Sequence, residues 1–177
     1  MPTTNEAVPA SAADFAIERT FQAPRALVWK AWSDAEALQR WWGPRGWGLE
    51  IAKLDFRPGG VFHYRMHMPD GKEMWGRFRY REIAEPERIV YVSSFSDAAG
   101  AVTRAPFAPT FPLELLNTVV FTETAGATKL TLRGSPIDAN PEERAFFAGM
   151  FGSMQQGFGG TFDQLDTYLA TERANNT

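Results

Sequence analysis

The chain has 177 residues, a length typical of one domain, and its 44% hydrophobic and 22% charged residues are ordinary for a globular protein. A formal net charge of -3 predicts no nucleic-acid partner that is held by net charge, and the absence of cysteine excludes disulfides, thiol nucleophiles and thiolate metal sites. Aromatic residues make up 14% of the chain, more than a small core needs, so a cavity lined by rings is the first functional hypothesis.

The two ends of the chain differ from its middle. Residues 1–13 are rich in Ser, Thr, Ala and Pro and lack the basic and apolar regions of a secretory signal, so we predict a disordered lead-in. Residues 171–177 are predicted to be a polar tail, which leaves a single domain at residues 14–170. Because no stretch approaches the roughly 18–20 apolar residues of a membrane span, no span is predicted and a cytoplasmic location is expected.

The first elements are predicted to be one strand and two short helices. Residues 14–22 alternate between apolar and polar side chains, as half-buried strands do. Pro24 suits the first position of a helix, and Ser33 with Glu36 matches a capping box that would begin a second one. That second helix is expected to stop at Gly43.

The central part of the chain alternates with the period of strands, from residue 49 to residue 96. The alternation places Phe62, Tyr64 and Met66 on one face of a strand, and a hairpin brings Phe78 and Tyr80 to the same face. This face is predicted to be the inner one.

Histidine and arginine side chains occupy the opposite face, which is predicted to be solvated. His63 and His67 would bind one metal ion if they lay on a helix, but on a strand their separation of about 13 Å is too large. We therefore predict no metal site.

A loop and a helix complete the chain. Residues 97–112 break every periodicity and contain three prolines, and a loop of that length is often functional. Phe107 and Phe111 are predicted to pack over the cavity as a lid. After a last hairpin, residues 141–170 show helical spacing throughout and predict one long helix.

The long helix contains five glycines, and each interior glycine costs about 0.5–1 kcal/mol relative to alanine. One explanation is that Gly152 and Gly157 leave room for a cavity between the helix and the sheet. The alternative is a kink near residues 157–160, and the two are compatible because a kink also opens space.

The order of strand, two short helices, about six strands and a long helix predicts an α+β fold in which a curved antiparallel sheet wraps a helix. Five tryptophans, Trp29, Trp32, Trp41, Trp42 and Trp47, lie in or beside the two short helices, which cannot bury five indoles completely. Some of them are therefore expected to face a cavity or a partner, and Trp42 is the predicted ligand contact.

The stretch FQAPRALVWKAWSDAEALQRWWGPRGW resembles the N-terminal signature of the START-like (SRPBCC) superfamily. The resemblance continues through RPGGVFHYRMHMPDG, EPERIVY, TVVFTETAGATKLTL and QQGFGGTFDQLDTYL, over residues 14–170. Within the superfamily the chain resembles the branch related to the C-terminal domain of the heat-shock protein 90 ATPase activator. The resemblance implies the helix-grip fold, in which about six or seven antiparallel strands curve around a long C-terminal helix with a hydrophobic cavity between them.

Binding of a small hydrophobic or aromatic molecule in that cavity is the predicted function. The residues predicted to line the cavity are Trp42, Phe62, Tyr64, Met66, Phe78, Tyr80, Phe107, Phe111, Phe147, Phe151 and Met154. Because no carboxylate pair, serine triad or phosphate loop is present, no catalytic residue and no cofactor are assigned. Whether the chain is an enzyme stays open, and the resemblance implies two alternatives: a polyketide cyclase or aromatase-like enzyme, and a chaperone-associated interaction module.

Overall fold

The computed structural model describes residues 14–175, so the predicted lead-in at residues 1–13 lies outside the described residues. Within this range the strands are β1 (Phe15–Phe21), β2 (Gly48–Leu54), β3 (Val61–His67), β4 (Glu73–Ala84), β5 (Arg88–Ser96), β6 (Val102–Thr103), β7 (Leu115–Thr124) and β8 (Ala127–Pro136). The helices are α1 (Arg25–Ser33), α2 (Ala35–Trp41), α3 (Pro141–Gly149) and α4 (Phe151–Asn175).

All the strands belong to one antiparallel sheet. Its order is β1-β8-β7-β5-β4-β3-β2, and the short β6 pairs with β5. The core lies between one face of this sheet and the helices, with Phe162 and Leu165 of α4 fully buried. The predicted α+β helix-grip architecture is confirmed.

The two short helices begin differently from the prediction. Pro24 is the N-cap of α1 rather than its first helical residue. Ser33 ends α1 and donates its hydroxyl to the Trp29 carbonyl at 3.0 Å, so it does not cap α2. Asp34 does so instead, because its extended backbone separates the helices and its carboxylate accepts a hydrogen bond from Ala37 N at 3.1 Å.

The predicted single helix at residues 141–170 is two helices. Met150 separates α3 from α4, and its N–H bonds to the Phe147 carbonyl at 3.0 Å, a three-residue closure that tightens the last turn of α3. The break therefore lies before the alternative kink at residues 157–160, through which α4 continues. Because α4 extends to Asn175, the start of the predicted polar tail is helical.

Candidate functional site

A cavity of about 190 Å³ lies between the sheet, α4 and the loop that precedes β7. Its lining consists of Phe15, Trp42, Tyr64, Met66, Met74, Trp75, Gly76, Phe78, Tyr91, Ser93, Ser94, Phe95, Phe111, Pro112, Leu113, Leu115, Asn117, Leu132, Met154 and Phe158. A second space of about 210 Å³ shares part of this lining and adds Gly43, Pro44, Gly157 and Thr161. The sheet and the helix thus line a mainly apolar cavity that is partly open to solvent.

The structure brings part of the predicted set together around this cavity. The predicted residues that line it are Trp42, Tyr64, Met66, Phe78, Phe111 and Met154. Phe62, Tyr80 and Phe147 belong to the core, Phe151 is partly buried against it, and all four lie outside the lining. Phe107 is 56% exposed and also lies outside it.

The tryptophans are buried more completely than two short helices were expected to allow. Trp29, Trp32, Trp41 and Trp42 are each 9% exposed or less, because their rings pack edge to face on one another and on neighbouring phenylalanines. Of the five tryptophans in the predicted cluster, Trp42 is the one that lines the cavity, and Trp47 is partly exposed.

The position of Trp42 is fixed by the segment that follows α2. The carbonyl of Gly43 accepts hydrogen bonds from Gln164 Nε2 at 2.6 Å and from Thr161 Oγ1 at 3.0 Å, both on α4. These bonds tie the end of α2 to the long helix. The indole of Trp42 then packs at 5.2 Å on the Phe78 ring of the sheet.

Tyr64 is held on the sheet side of the cavity by a glycine on the adjacent strand. Tyr64 on β3 pairs with Gly76 on β4, and a Cβ at Gly76 would lie 2.6 Å from the Tyr64 hydroxyl oxygen. Only glycine therefore lets the phenol ring cross the neighbouring strand at this point.

The polar part of the lining comes from β5 and β7, and the sequence reasoning missed it. Asn117 donates its amide to Ser93 Oγ at 2.7 Å and to the Leu115 carbonyl at 3.1 Å. A signal was available, because the alternation of Tyr91 and Ser93 continues the inner face, and Asn117 interrupts the apolar face of β7. A polar residue in an inward position of a strand indicates a cavity or a buried hydrogen-bond network.

The cavity is electrically neutral. Among the described residues, none that lines it is Asp, Glu, Lys, Arg or His. Burial raises the pKa of Tyr64 to about 12, and burial also raises the pKa of Tyr91 well above its ordinary value. At neutral pH both phenols are therefore protonated hydrogen-bond donors, and neither acts as a base.

The loop predicted as a lid, residues 97–112, contains the short strand β6 and then packs on α3. The Phe111 ring contacts Phe95 at 5.9 Å and Phe147 at 6.1 Å. Arg104 donates to the Phe111 carbonyl at 3.3 Å and to the Glu143 carboxylate. Hydrogen bonding to Arg104, and then to the Asn140 backbone, lowers the pKa of Glu143. The loop is thus tied to α3 by an ion pair and a ring, and its role as a lid stays a prediction.

The predicted glycine positions differ from each other. Both glycines are exposed, but Gly157 lies in the lining of the second space, whereas Gly152 lies outside the lining of both spaces. A Cβ at either position would meet nothing within 4 Å. The predicted cavity-shaping role of Gly152 is therefore not matched by its position, which is outside the lining of both spaces.

The expectation of a solvated face was wrong for His63. It is 8% exposed, stacks on Trp75 at 4.9 Å and places Nε2 3.1 Å from Ser96 Oγ. Its role is to join β3 to the end of β5. His67, four residues on, is instead half-exposed beside Glu50, and the described residues contain no group of three or more metal-ligating side chains.

The fold and the apolar cavity define a START-like helix-grip domain, a class of fold that commonly binds hydrophobic molecules. The family model for Activator of Hsp90 ATPase homolog 1-like protein matches residues 22–170. The chain belongs to this family.

Solved structures of several bacterial proteins are similar to the chain. A Mycobacterium smegmatis protein is 26% identical with a TM-score of 0.74, and the alignment covers 90% of this chain and 92% of that one. An Arthrobacter aurescens protein is also 26% identical, with a TM-score of 0.76 over 90% and 87% of the two chains. A Nitrosomonas europaea protein, 23% identical with a TM-score of 0.74 over 93% and 98%, shows the fold alone. A comparison with curated proteins finds no match.

Within residues 14–175, no helix is both long and apolar enough to cross a membrane.

Proposed function

We propose that the protein binds a small, neutral, hydrophobic or aromatic molecule in the cavity between the sheet and α4. The observation that carries the proposal is the composition of the cavity lining, in which aromatic and aliphatic side chains surround a few uncharged polar groups. Ligand pockets characteristically combine an apolar wall with a small number of polar groups that set orientation.

The size of the cavity limits the ligand. An apolar cavity of about 150 Å³ holds one benzene ring. The 190 Å³ of this cavity therefore suits a fused two-ring molecule. Indane, a neutral two-ring hydrocarbon, is a suitable probe.

Two measurements test the proposal. Native mass spectrometry of freshly purified protein should detect a co-purified neutral compound, and calorimetry should show that the purified chain binds indane. A Met154→Trp variant should lose indane binding, because the larger side chain would fill the space between α4 and the sheet that the ligand needs.

The matched control is Met68→Trp, since Met68 lies in the turn after β3 and outside the cavity lining. This variant should bind indane as the wild type does. No indane binding to the wild type, together with no co-purified compound, would contradict the proposal.

Recovery of the bound compound separates binding from the cyclase or aromatase alternative. A binding protein returns the compound unchanged after prolonged incubation, whereas an enzyme returns a product of different mass or ring structure. The absence of an ionisable carboxylate or histidine from the described cavity lining supports binding.

A further inference from the structure

The indole N–H of Trp42 is a buried hydrogen-bond donor without a partner. Trp42 is 9% exposed, and the described residues supply no acceptor for its Nε1. The adjacent Trp41 differs, because its indole Nε1 donates a hydrogen bond to the Ala31 carbonyl at 2.9 Å. Buried polar groups are almost always paired, so an unpaired donor on a cavity wall requires an explanation.

The hydroxyl of Tyr64 is the second polar group on this wall. Tyr64 is 7% exposed, and its oxygen lies over Gly76, where a side chain would displace it. The Trp42 and Tyr64 rings lie edge to face with their centroids 6.4 Å apart, so the two groups are neighbours, although the Trp42 N–H makes no hydrogen bond. Both residues line the cavity.

We propose that the Trp42 N–H and the Tyr64 hydroxyl together form a polar anchor that binds the carbonyl oxygen of a neutral aromatic ketone. This inference rests on the proposed function and specifies the ligand class for the same cavity. The indole N–H can only donate, so the group it binds must be an acceptor. A carboxylate is a poor candidate, because no cationic side chain among the described residues lines the cavity.

The surrounding rings fit an aromatic ligand rather than a flexible chain. Phe78 lies 5.2 Å from the Trp42 ring and 5.8 Å from the Tyr64 ring, and Phe158 lies 6.3 Å from the Trp42 ring. Edge-to-face contacts of this kind favour a flat ring system beside the two donors.

The test compares two ligands of the same shape. Indane and 1-indanone differ only in that one CH₂ group becomes a carbonyl, and calorimetry gives the dissociation constant of each. In a Trp42→Phe variant, 1-indanone should bind about three- to tenfold more weakly, the range expected for one lost hydrogen bond, while indane should change by less than about twofold.

Trp32→Phe is the matched control. The Nε1 of Trp32 is also buried and without a partner, but Trp32 does not line the cavity. This substitution should leave the affinities for both ligands unchanged. An equal loss for both ligands in the Trp42→Phe variant, or no loss for 1-indanone, would overturn the polar anchor while the proposed function stands.

A measurement on the wild type keeps the inference testable if the Trp42→Phe variant does not fold. The chain has 6 Trp, so a ¹⁵N-labelled sample gives few indole N–H signals in an NMR spectrum. One of these signals should move downfield with 1-indanone and stay in place with indane. No such movement while 1-indanone is bound overturns the inference, and no binding of either ligand overturns the proposed function with it.

Discussion

Tyr64 combines a buried aromatic ring with a polar hydroxyl group. Its ring packs against Phe62 at 4.7 Å and edge to face against Phe78 at 5.8 Å, and the residue lines a cavity with no charged group among the described lining residues. The ring contributes apolar burial, and the hydroxyl stays protonated because burial raises its pKa to about 12. Because Tyr64 is 7% exposed, a charged side chain at this position would be largely buried and would have no counter-ion among the described lining residues.

The substitution Tyr64→Arg should therefore destabilise the domain by several kcal/mol, because it leaves an unpaired charge in an apolar site. In a protein of this size that loss corresponds to a fall in melting temperature of about 10 °C or more. Thermal unfolding followed by circular dichroism would measure it.

Val120→Arg is the control, because it introduces the same arginine side chain at an exposed position of the sheet. Val120 is 37% exposed on the outer face of β7, so the introduced guanidinium can reach water. Its melting temperature should stay within about 2 °C of the wild-type value. If Val120→Arg were the more damaging change, the inner and outer faces of the sheet would have been exchanged.

Single residues also show what the sequence could predict about the site. Strict alternation was enough to place Tyr64 and Phe78 on the inner face, since a strand has only two faces. The contribution of Asn117 to the polar lining depends on which strands are neighbours in the sheet. The pairing of β5 with β7 brings Asn117 next to Ser93, although β6 lies between these strands in the sequence. Its bond to Ser93, 24 positions away, could not be derived from either strand alone.

At the scale of elements, the segment between β6 and β7 contacts β5 through the Phe111 ring and α3 through Phe111 and Arg104. Arg104 bonds to Glu143, and Glu143 also takes part in the capping box with Asn140. The same carboxylate thus stabilises the start of a helix and holds the loop that contributes Phe111 to the cavity. Loosening this ion pair should loosen the loop without unfolding the helix.

The pH dependence of the loop follows from the pKa of Glu143. Because Arg104 lowers this pKa in the folded protein, the ion pair contributes stability above the ordinary glutamate pKa of about 4.3. That contribution is lost as the pH falls through the lower, folded-state pKa. Protection of residues 104–112 from hydrogen exchange, corrected for the intrinsic rate, should therefore decrease below about pH 4.

A Glu143→Gln variant should show the same loosening at pH 7, with protection of the loop reduced about two- to fivefold, because glutamine keeps the cap but not the charge. Glu142→Gln is the control, since Glu142 is exposed and the described residues give it no ion-pair partner. Unchanged protection in Glu143→Gln would show that the packing of Phe111 alone holds the loop.

Element boundaries were less predictable than element types. Hydrophobic spacing identified the C-terminal helical region, because apolar residues at helical spacing pack on the core in both α3 and α4. The break at Met150 leaves that spacing almost unchanged, so no pattern of apolar residues could reveal it. The start of α2 was misplaced by one residue for a related reason: Ser33 and Asp34 are both good caps, and the backbone conformation decides between them.

At the scale of the whole molecule, the charges and the cavity are kept apart. The ion pairs of Arg19, Arg40, Arg65 and Lys129 involve partly exposed side chains, whereas the described lining of the cavity has none. The composition shows an excess of aromatic residues, but it could not predict that the charges would lie apart from the cavity. This separation depends on the way the sheet curves around α4 and turns its charged residues outward.

This separation predicts that the protein selects neutral ligands. Indane-2-carboxylate has the ring system of indane with one added carboxylate, which is ionised at pH 7. It should bind at least about tenfold more weakly than indane, because burial of an unpaired charge outweighs the added contacts. Calorimetry at pH 7 would compare the two directly.

Salt provides the independent control on this explanation. The affinity for indane should change by less than about twofold between 50 mM and 500 mM NaCl, since screening acts on charges and neither partner brings one to the site. Equal affinity for indane-2-carboxylate, weakened by salt, would mean that a cation reaches the ligand. Arg104, bonded to the Phe111 carbonyl beside the cavity, is then the residue to substitute with glutamine.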